Sequence, residues 1–303
     1  MSTAWNRLNA RRGDLPFLDS AAITAALDSF GTGRERLLVG RQEQEITAMF
    51  LLVRTSAVAW QSFQPAQLPL GAWVADDQLP VVDLARSLIR GPLDFCLLLS
   101  ITQIDPMHAT RPLDSTDMHS SDYIRTAWTE LQGSFAEYWN QRGKNLRQNM
   151  RKQRNRLAGD GISGNLRVFD QPTDMAAAIE RYGALESAGW KAGRGTAIHP
   201  DNSQGKFYRH LLERAATRGE AVVFEYLFDD RVVASNLCLR REEVLVILKT
   251  TYDQSIQWYS PAFLLSHDQI ELLYDEGRIQ RIEYYGRMME WHSRWTETSR
   301  VLY

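Results

Sequence analysis

Between residues 244 and 277 the chain passes from a strand pattern to a helix pattern through one short turn, and this stretch limits the fold more than any other. Val244–Leu248 is an unbroken apolar run rich in β-branched residues, which suits a buried strand. Beyond Pro261 the period changes. Phe263, Leu264, His267, Ile270, Leu273 and Tyr274 fall on one face of a helix. Ser260 is the expected N-cap, Pro261 suits the first helical turn, and Gly277 suits the stop. The backbone N–H groups of Ala262, Phe263 and Leu264 are then expected to be free. With the helix dipole they form a candidate site for a diphosphate. An ordinary capped helix, its amides bonded to water or to Ser260, is the simpler account of the same pattern.

The 303 residues are 44% hydrophobic and 24% charged, an ordinary globular composition. That length fits one large domain or two of about 150 residues. A net charge of −2 argues against field-driven binding to nucleic acid or acidic membrane. Cys96 and Cys238 both lie in apolar strand-like runs and read as buried thiols, without disulfide or metal spacing. No apolar run approaches the roughly 20 residues of a membrane span. The amino-terminal stretch carries Asn6, Arg11, Arg12 and Asp14 and has no signal-like apolar region. The expectation is a soluble, cytoplasmic protein.

Periodicity predicts helices over 21–30, 81–90, 134–158 (interrupted at Gly143), 174–189, 207–218 and 261–276. It predicts strands over 37–39, 46–53, 58–63, 93–101, 123–131, 166–169, 221–228, 232–239, 244–251 and 279–285. Ser134 and Glu137 have capping-box spacing. Residues 1–18 read as peripheral, Gln64–Trp73 as a loop and Ile104–Asp122 as a connector. Each half runs helix, three meandering strands, a Pro-containing loop, helix and strand. Two similar α/β modules are expected, over 1–120 and 121–303.

Other candidate groups are less specific. Arg142, Lys144, Arg147, Arg151, Lys152, Arg154 and Arg156 fall together without an acid among them, and Lys144, Arg147, Arg151 and Arg154 share a helical face. Such a face suits an anionic cofactor or substrate, although a solvated or internally paired face is the simpler reading. Asp253 after the strand, and Glu283 with Tyr252, Tyr284 and Tyr285, are candidates for moving a proton. Each also reads as an ordinary hydrogen-bonding residue. His267 sits on the apolar helix face and reads as a core histidine, and His199, His210 and His292 show no ligand spacing. The motifs of serine hydrolases, P-loop NTPases and dinucleotide-binding enzymes do not occur.

Several stretches together resemble a known family. They are Lys144-Asn145-Leu146-Arg147 through Arg151-Lys152, Glu186-Ser187-Ala188-Gly189-Trp190-Lys191, Tyr252-Asp253 through Tyr259-Ser260-Pro261, and Ile282-Glu283-Tyr284-Tyr285-Gly286. In this order the chain resembles the GNAT superfamily. Within it, the chain is most similar to two-module acetyltransferases first noted with cellulose and exopolysaccharide biosynthesis, which are related to FemAB-type peptidyl transferases. The R/Q-x-x-G-x-G/A phosphate loop of the superfamily is replaced here by Gln257-Trp258-Tyr259-Ser260-Pro261-Ala262, and the family's Tyr-Lys by Trp291-His292.

The resemblance implies an α/β (α+β) fold of tandem modules, each a mixed, mostly antiparallel sheet flanked by helices. It implies catalysis in the second module, with acetyl-CoA or another acyl-CoA as co-substrate and no metal. Carried over, Thr250, Tyr259, Ser260, Pro261, Ala262, Phe263 and Leu264 would hold the cofactor. Asp253, Glu283 and Tyr285 would be catalytic. Lys144, Arg147, Arg151, Trp190 and Tyr252 would face the substrate or an anion. The implied reaction moves an acyl group, acetyl in the simplest case, to a small-molecule amine or amino sugar by direct attack in a ternary complex. The alternatives are an aminoacyl-tRNA-dependent transferase of the FemAB type and a non-catalytic binding protein with this fold.

Overall fold

The computed structural model describes residues 1–188 and 198–303, and divides them into two compact units. The first unit comprises Met1–Thr126 and Ser299–Tyr303, the second Ala127–Thr298. A cut at residue 120 makes no provision for this return of the last residues to the first unit.

The first unit opens with α1 (Ser2–Arg11) and α2 (Ser20–Phe30). Residues 1–18 are therefore not peripheral. Trp5 and Leu8, one turn apart on α1, are buried, and the Trp5 indole donates to the Leu18 carbonyl at 2.7 Å. Asp19 caps α2 through the Ala22 N–H. Next come β1 (Glu35–Gln42), β2 (Glu45–Arg54), β3 (Ala59–Ser62), β4 (Trp73–Ala75), α3 (Val81–Arg90) and β5 (Leu98–Ser100). The sheet has the order β1-β2-β3-β5, with β4 also paired to β2. All its pairs are antiparallel except β3 with β5. The expected buried strand over 93–101 shrinks to three residues here, and Leu97 and Leu98 are 72% and 58% exposed. An apolar run reports strand propensity but not whether anything covers the strand.

The second unit contains most of β6 (Arg125–Glu130), then α4 (Phe135–Gln141), α5 (Lys144–Gly159), β7 (Gly164–Phe169), α6 (Pro172–Ala188) and α7 (Ser203–Ala216). It continues with β8 (Ala221–Phe228), β9 (Arg231–Arg241), β10 (Val244–Tyr252), α8 (Pro261–Glu276) and β11 (Arg281–Glu283). The expected capping box opens α4, and Gly143 separates α4 from α5. The strand order is β6-β11-β10-β9-β8-β7, antiparallel except for β10 with β11. β8 is buried along its whole length, as a strand covered on both faces must be. Leu264, Leu265, Ile270 and Leu273 of α8 pack into the same core as Val222, Phe224 and Cys238. The last strand, β12 (Ser299–Val301), belongs to the first unit.

The fold is thus the expected mixed α/β arrangement of two mixed, mostly antiparallel sheets flanked by helices. Both cysteines are buried and free. Among the described residues, no helix is long and apolar enough to cross a membrane.

Candidate active site

The site grows from the way β10 leaves its neighbour. β10 and β11 run parallel and pair only over Val244–Val246 against Arg281–Glu283. Just beyond, the β10–β9 register shifts between Ile247↔Cys238 and Lys249↔Leu237, so Leu248 is an extra residue. Such a bulge sharpens the local twist. β10 nevertheless continues along β9 to Tyr252, and its edge facing β11 lies open from Ile247 onward. At that opening is a cavity of about 440 Å³. This lies in the usual size range for a small-molecule site.

One wall is the end of β10, with Thr250, Thr251 and Tyr252. The chain then forms a 3-10 turn over Gln254–Tyr259, from which Gln254 and Gln257 reach the cavity. Asp253 starts this turn. Its Oδ1 accepts the Ser255 N–H at 2.9 Å and the Ser255 hydroxyl at 2.6 Å, and Oδ2 pairs with Arg231. The start of α8 supplies Ser260, Pro261, Ala262, Phe263 and Ser266. Ser260 is not a side-chain cap. It takes a left-handed conformation (φ 53°) and turns the chain into the helix through its carbonyl, which accepts the N–H groups of Phe263 at 3.0 Å and Leu264 at 3.1 Å. Two of the three amides expected to be free are therefore engaged, which leaves Ala262 as the first-turn amide that this carbonyl does not use.

The opposite side comes from elements distant in sequence. Leu185 and Glu186, near the end of α6, form one part. The Glu186 carboxylate is 3% exposed; Oε2 accepts the Ile198 N–H at 2.7 Å, and Oε1 lies 3.3 Å from Lys249 Nζ. Trp291 and Trp295 form the other part. The Trp295 carbonyl is held by the Tyr138 hydroxyl at 2.8 Å and by Arg142 Nη1 at 2.6 Å. Trp291 stacks on His292, whose Nδ1 accepts the Met289 N–H at 2.9 Å. Burial pushes the His292 imidazole down to about 4. Among the described residues the lining carries no lysine or arginine and a single carboxylate, Glu186. That carboxylate is matched by the Lys249 ammonium behind it.

Of the residues expected to hold a cofactor, Thr250, Ser260, Pro261, Ala262 and Phe263 line this cavity, as does Tyr252. Tyr259 and Leu264 do not. The Tyr259 hydroxyl donates to Asp160 at 2.6 Å and its ring packs edge-on to Phe228, whereas Leu264 is fully buried in the core. The expected catalytic residues also lie off the lining. Asp253 is committed to the 3-10 turn and to Arg231. Side chains alternate along a strand. Ile282 and Tyr284 line a narrow extension of the site, so Glu283 faces the other way, 3.9 Å from Arg281. Tyr285 follows β11 with a left-handed backbone (φ 49°), which breaks the alternation that would have brought it to the site.

The basic helix α5 is also divided. Arg154 pairs with Asp268, and Arg156 donates to the Trp258 carbonyl at 2.7 Å, which ties α5 to α8 and to the 3-10 turn. Arg147 donates to the Arg142 carbonyl at 3.1 Å, and Lys144 and Arg151 are exposed. None of Lys144, Arg147 and Arg151 lines the cavity. Trp190 lies outside the described residues. His267 is buried beside Trp139, as its place on the apolar face predicts. Sequence reasoning singled out neither Glu186, Gln254, Gln257 nor Ser266 as site residues. In the sequence Trp291 stands only where the family has its Tyr-Lys, and Trp295 carries no such signal.

Residues 144–293 match the family described as Acetyltransferase (GNAT) domain. Those residues form a GNAT-type acetyltransferase domain. Every cavity-lining residue except Trp295 falls within its bounds. Solved structures share the fold over nearly the whole chain. FemX superposes with a TM-score of 0.61 at 7% identity, covering 100% of this chain and 94% of that one. The C-terminal domain of a putative lysylphosphatidylglycerol synthetase from Agrobacterium fabrum gives 0.54 at 13% identity, covering 92% and 85%. A conserved protein of unknown function from Bacteroides thetaiotaomicron gives 0.53 at 11% identity, covering 99% and 92%. No curated protein sequence matches the chain. At such identities the likeness establishes the fold, and the chemistry of the GNAT-type domain has to be argued from its site.

Proposed function

We propose that the GNAT-type domain transfers an acyl group from an acyl-CoA to a small-molecule amine by direct attack in a ternary complex. The observation that carries this is the open edge of β10. Among the described residues, the strand past Val246 is paired with β9 and no longer with β11, and that edge borders a cavity that ends at the start of α8. An extended pantetheine arm fits such an edge because its amides can take the place of a missing strand. The Ala262 amide and the dipole of α8 then favour the diphosphate at the start of that helix.

In this reaction the amine nitrogen bonds to the thioester carbonyl carbon. The C–S bond then breaks, and the thiolate departs and takes up the proton released by nitrogen. The protein's part is chiefly to hold the reactants together and to polarise the carbonyl with backbone N–H groups. The acceptor attacks as the neutral amine, since an ammonium nitrogen has no lone pair to give.

Calorimetric titration with acetyl-CoA and with free CoA tests the reading. Binding of both is expected, weakened by Ser260→Asp, which puts a negative charge beside the diphosphate. No heat and no thermal shift at millimolar cofactor would sink it. A second reading, transfer from an aminoacyl-tRNA, is favoured by the exposed Lys144 and Arg151 of α5. It requires an affinity for tRNA that falls steeply with salt.

A further inference from the structure

Below the main cavity, where β10 parts from β11, lies a smaller one of about 10 Å³, lined by Asn236, Ile247, Gln269 and Ile282 among others. It shares Thr250, Ser266 and Trp291 with the main cavity, so the two adjoin across these residues. Its volume is near the lower limit for one water-sized group. Asn236 on β9 is 3% exposed and Gln269 on α8 is 1% exposed. Asn236 Nδ2 donates to Gln269 Oε1 at 2.7 Å. That bond leaves Asn236 Oδ1 and Gln269 Nε2 without a partner. Turning both amides over changes the atoms but not the count, since one acceptor and one donor still lie unused.

A buried polar atom without a partner costs roughly 1–3 kcal/mol, so a pair of them calls for a ligand that supplies both complements. A hydroxyl does so, because its O–H donates to the free carbonyl while its oxygen accepts from the free NH₂. A methyl group offers neither, and an ammonium offers donors only.

Building on the acyl-transfer reading, we propose that the Asn236–Gln269 pair determines acyl specificity by receiving a hydroxyl carried on the acyl group next to the thioester carbonyl. The donor is then a hydroxyacyl thioester, and plain acetyl is the poorer substrate.

Two measurements test this. In calorimetry the wild type is expected to bind hydroxyacetyl-CoA about tenfold more tightly than acetyl-CoA, the worth of one to two net hydrogen bonds. The double variant Asn236→Leu/Gln269→Met, which keeps both shapes and removes both amides, is expected to bring that ratio to about one. Equal binding by the wild type, or an unchanged ratio in the variant, overturns the proposal. The second measurement needs neither a core variant nor CoA. The ¹⁵N-labelled wild-type protein is titrated with hydroxyacetyl and acetyl thioesters of N-acetylcysteamine, and the Gln269 side-chain NH₂ resonances are followed. Movement with the hydroxyacetyl probe alone supports the pair's role, even where neither CoA thioester binds and the acyl-CoA reading falls. Resonances that both probes leave in place, as for a permanently held water, or that both move alike, overturn it.

Discussion

Trp291 lies stacked on His292, ring centroids 3.6 Å apart and planes 25° apart, and this contact holds the indole at the cavity wall. Burial lowers the imidazole from its ordinary 6.5 to about 4, so Trp291 rests on a neutral ring at neutral pH. Between those values the unfolded chain binds a proton at this residue and the folded chain does not. Stability contributed here is therefore complete above 6.5 and is lost as pH falls toward 4. Thermal unfolding from pH 7 to pH 4.5 should show a decline that His292→Asn makes shallower. Equal declines in the two proteins would remove His292 as its source.

The Glu186–Lys249 pair should behave as one unit. Glu186→Gln keeps the size and an acceptor for the Ile198 N–H but takes away the charge facing Lys249. A loss on the order of 2–3 kcal/mol is expected, somewhat below that of a fully buried pair because Lys249 keeps partial access to water. Adding Lys249→Met should return at least half of that loss. A double-mutant cycle by urea denaturation measures the coupling, and strictly additive losses would show that the pair contributes nothing.

Ser260 supplies a carbonyl to the start of α8 from a left-handed backbone. A residue with a side chain is strained there, and glycine is not. Ser260→Gly should therefore retain the fold and hold or raise stability by about 1 kcal/mol, whereas Ser260→Val should lose about 2 kcal/mol. Denaturation midpoints of the two variants decide it, and a lower midpoint for the glycine variant would contradict the strain argument.

Arg300 and Asp105 form a buried two-point ion pair, with Nε 2.8 Å from Oδ1 and Nη2 2.6 Å from Oδ2. Burial pushes the Asp105 carboxyl up, but the hydrogen bonds and charge of Arg300 outweigh it and hold it below the carboxylate range. Arg300→Met strands a buried carboxylate, with an expected cost of about 3–5 kcal/mol. It should also make Asp105 easier to protonate, which relieves the stranded charge, so the variant's deficit against the wild type should narrow as pH falls. Calorimetric scans at pH 7 and pH 4 check both points, and an unchanged Tm at pH 7 would refute them.

Local signals gave the elements, and non-local ones assembled the site. The apolar period over Val81–Arg90 and the Ser134–Glu137 spacing were readable because they act within a turn or two of helix. The hand-over from β10 to α8 was readable for the same reason. The left-handed Ser260 and Tyr285 were not, since neither is the glycine that marks such a conformation. Glu186, Gln257 and Trp291 meet through the path of the chain, and no spacing rule links them. Asp253 shows the converse error. A carboxylate at a strand end is conspicuous in sequence, yet the first use made of it here is to start the next turn.

The last residues have a consequence for the order of events during synthesis. Arg300 and Tyr303 complete the first unit, yet the whole of Ala127–Thr298 precedes them along the chain. At ribosomal rates of roughly 5–20 residues per second, that stretch occupies on the order of ten to thirty seconds. Throughout that interval the nascent first unit lacks the arginine that faces Asp105 and the ring that fills its core. The unit made first is thus the last to be completed, and a chaperone acting on the newborn chain would meet its unfinished core.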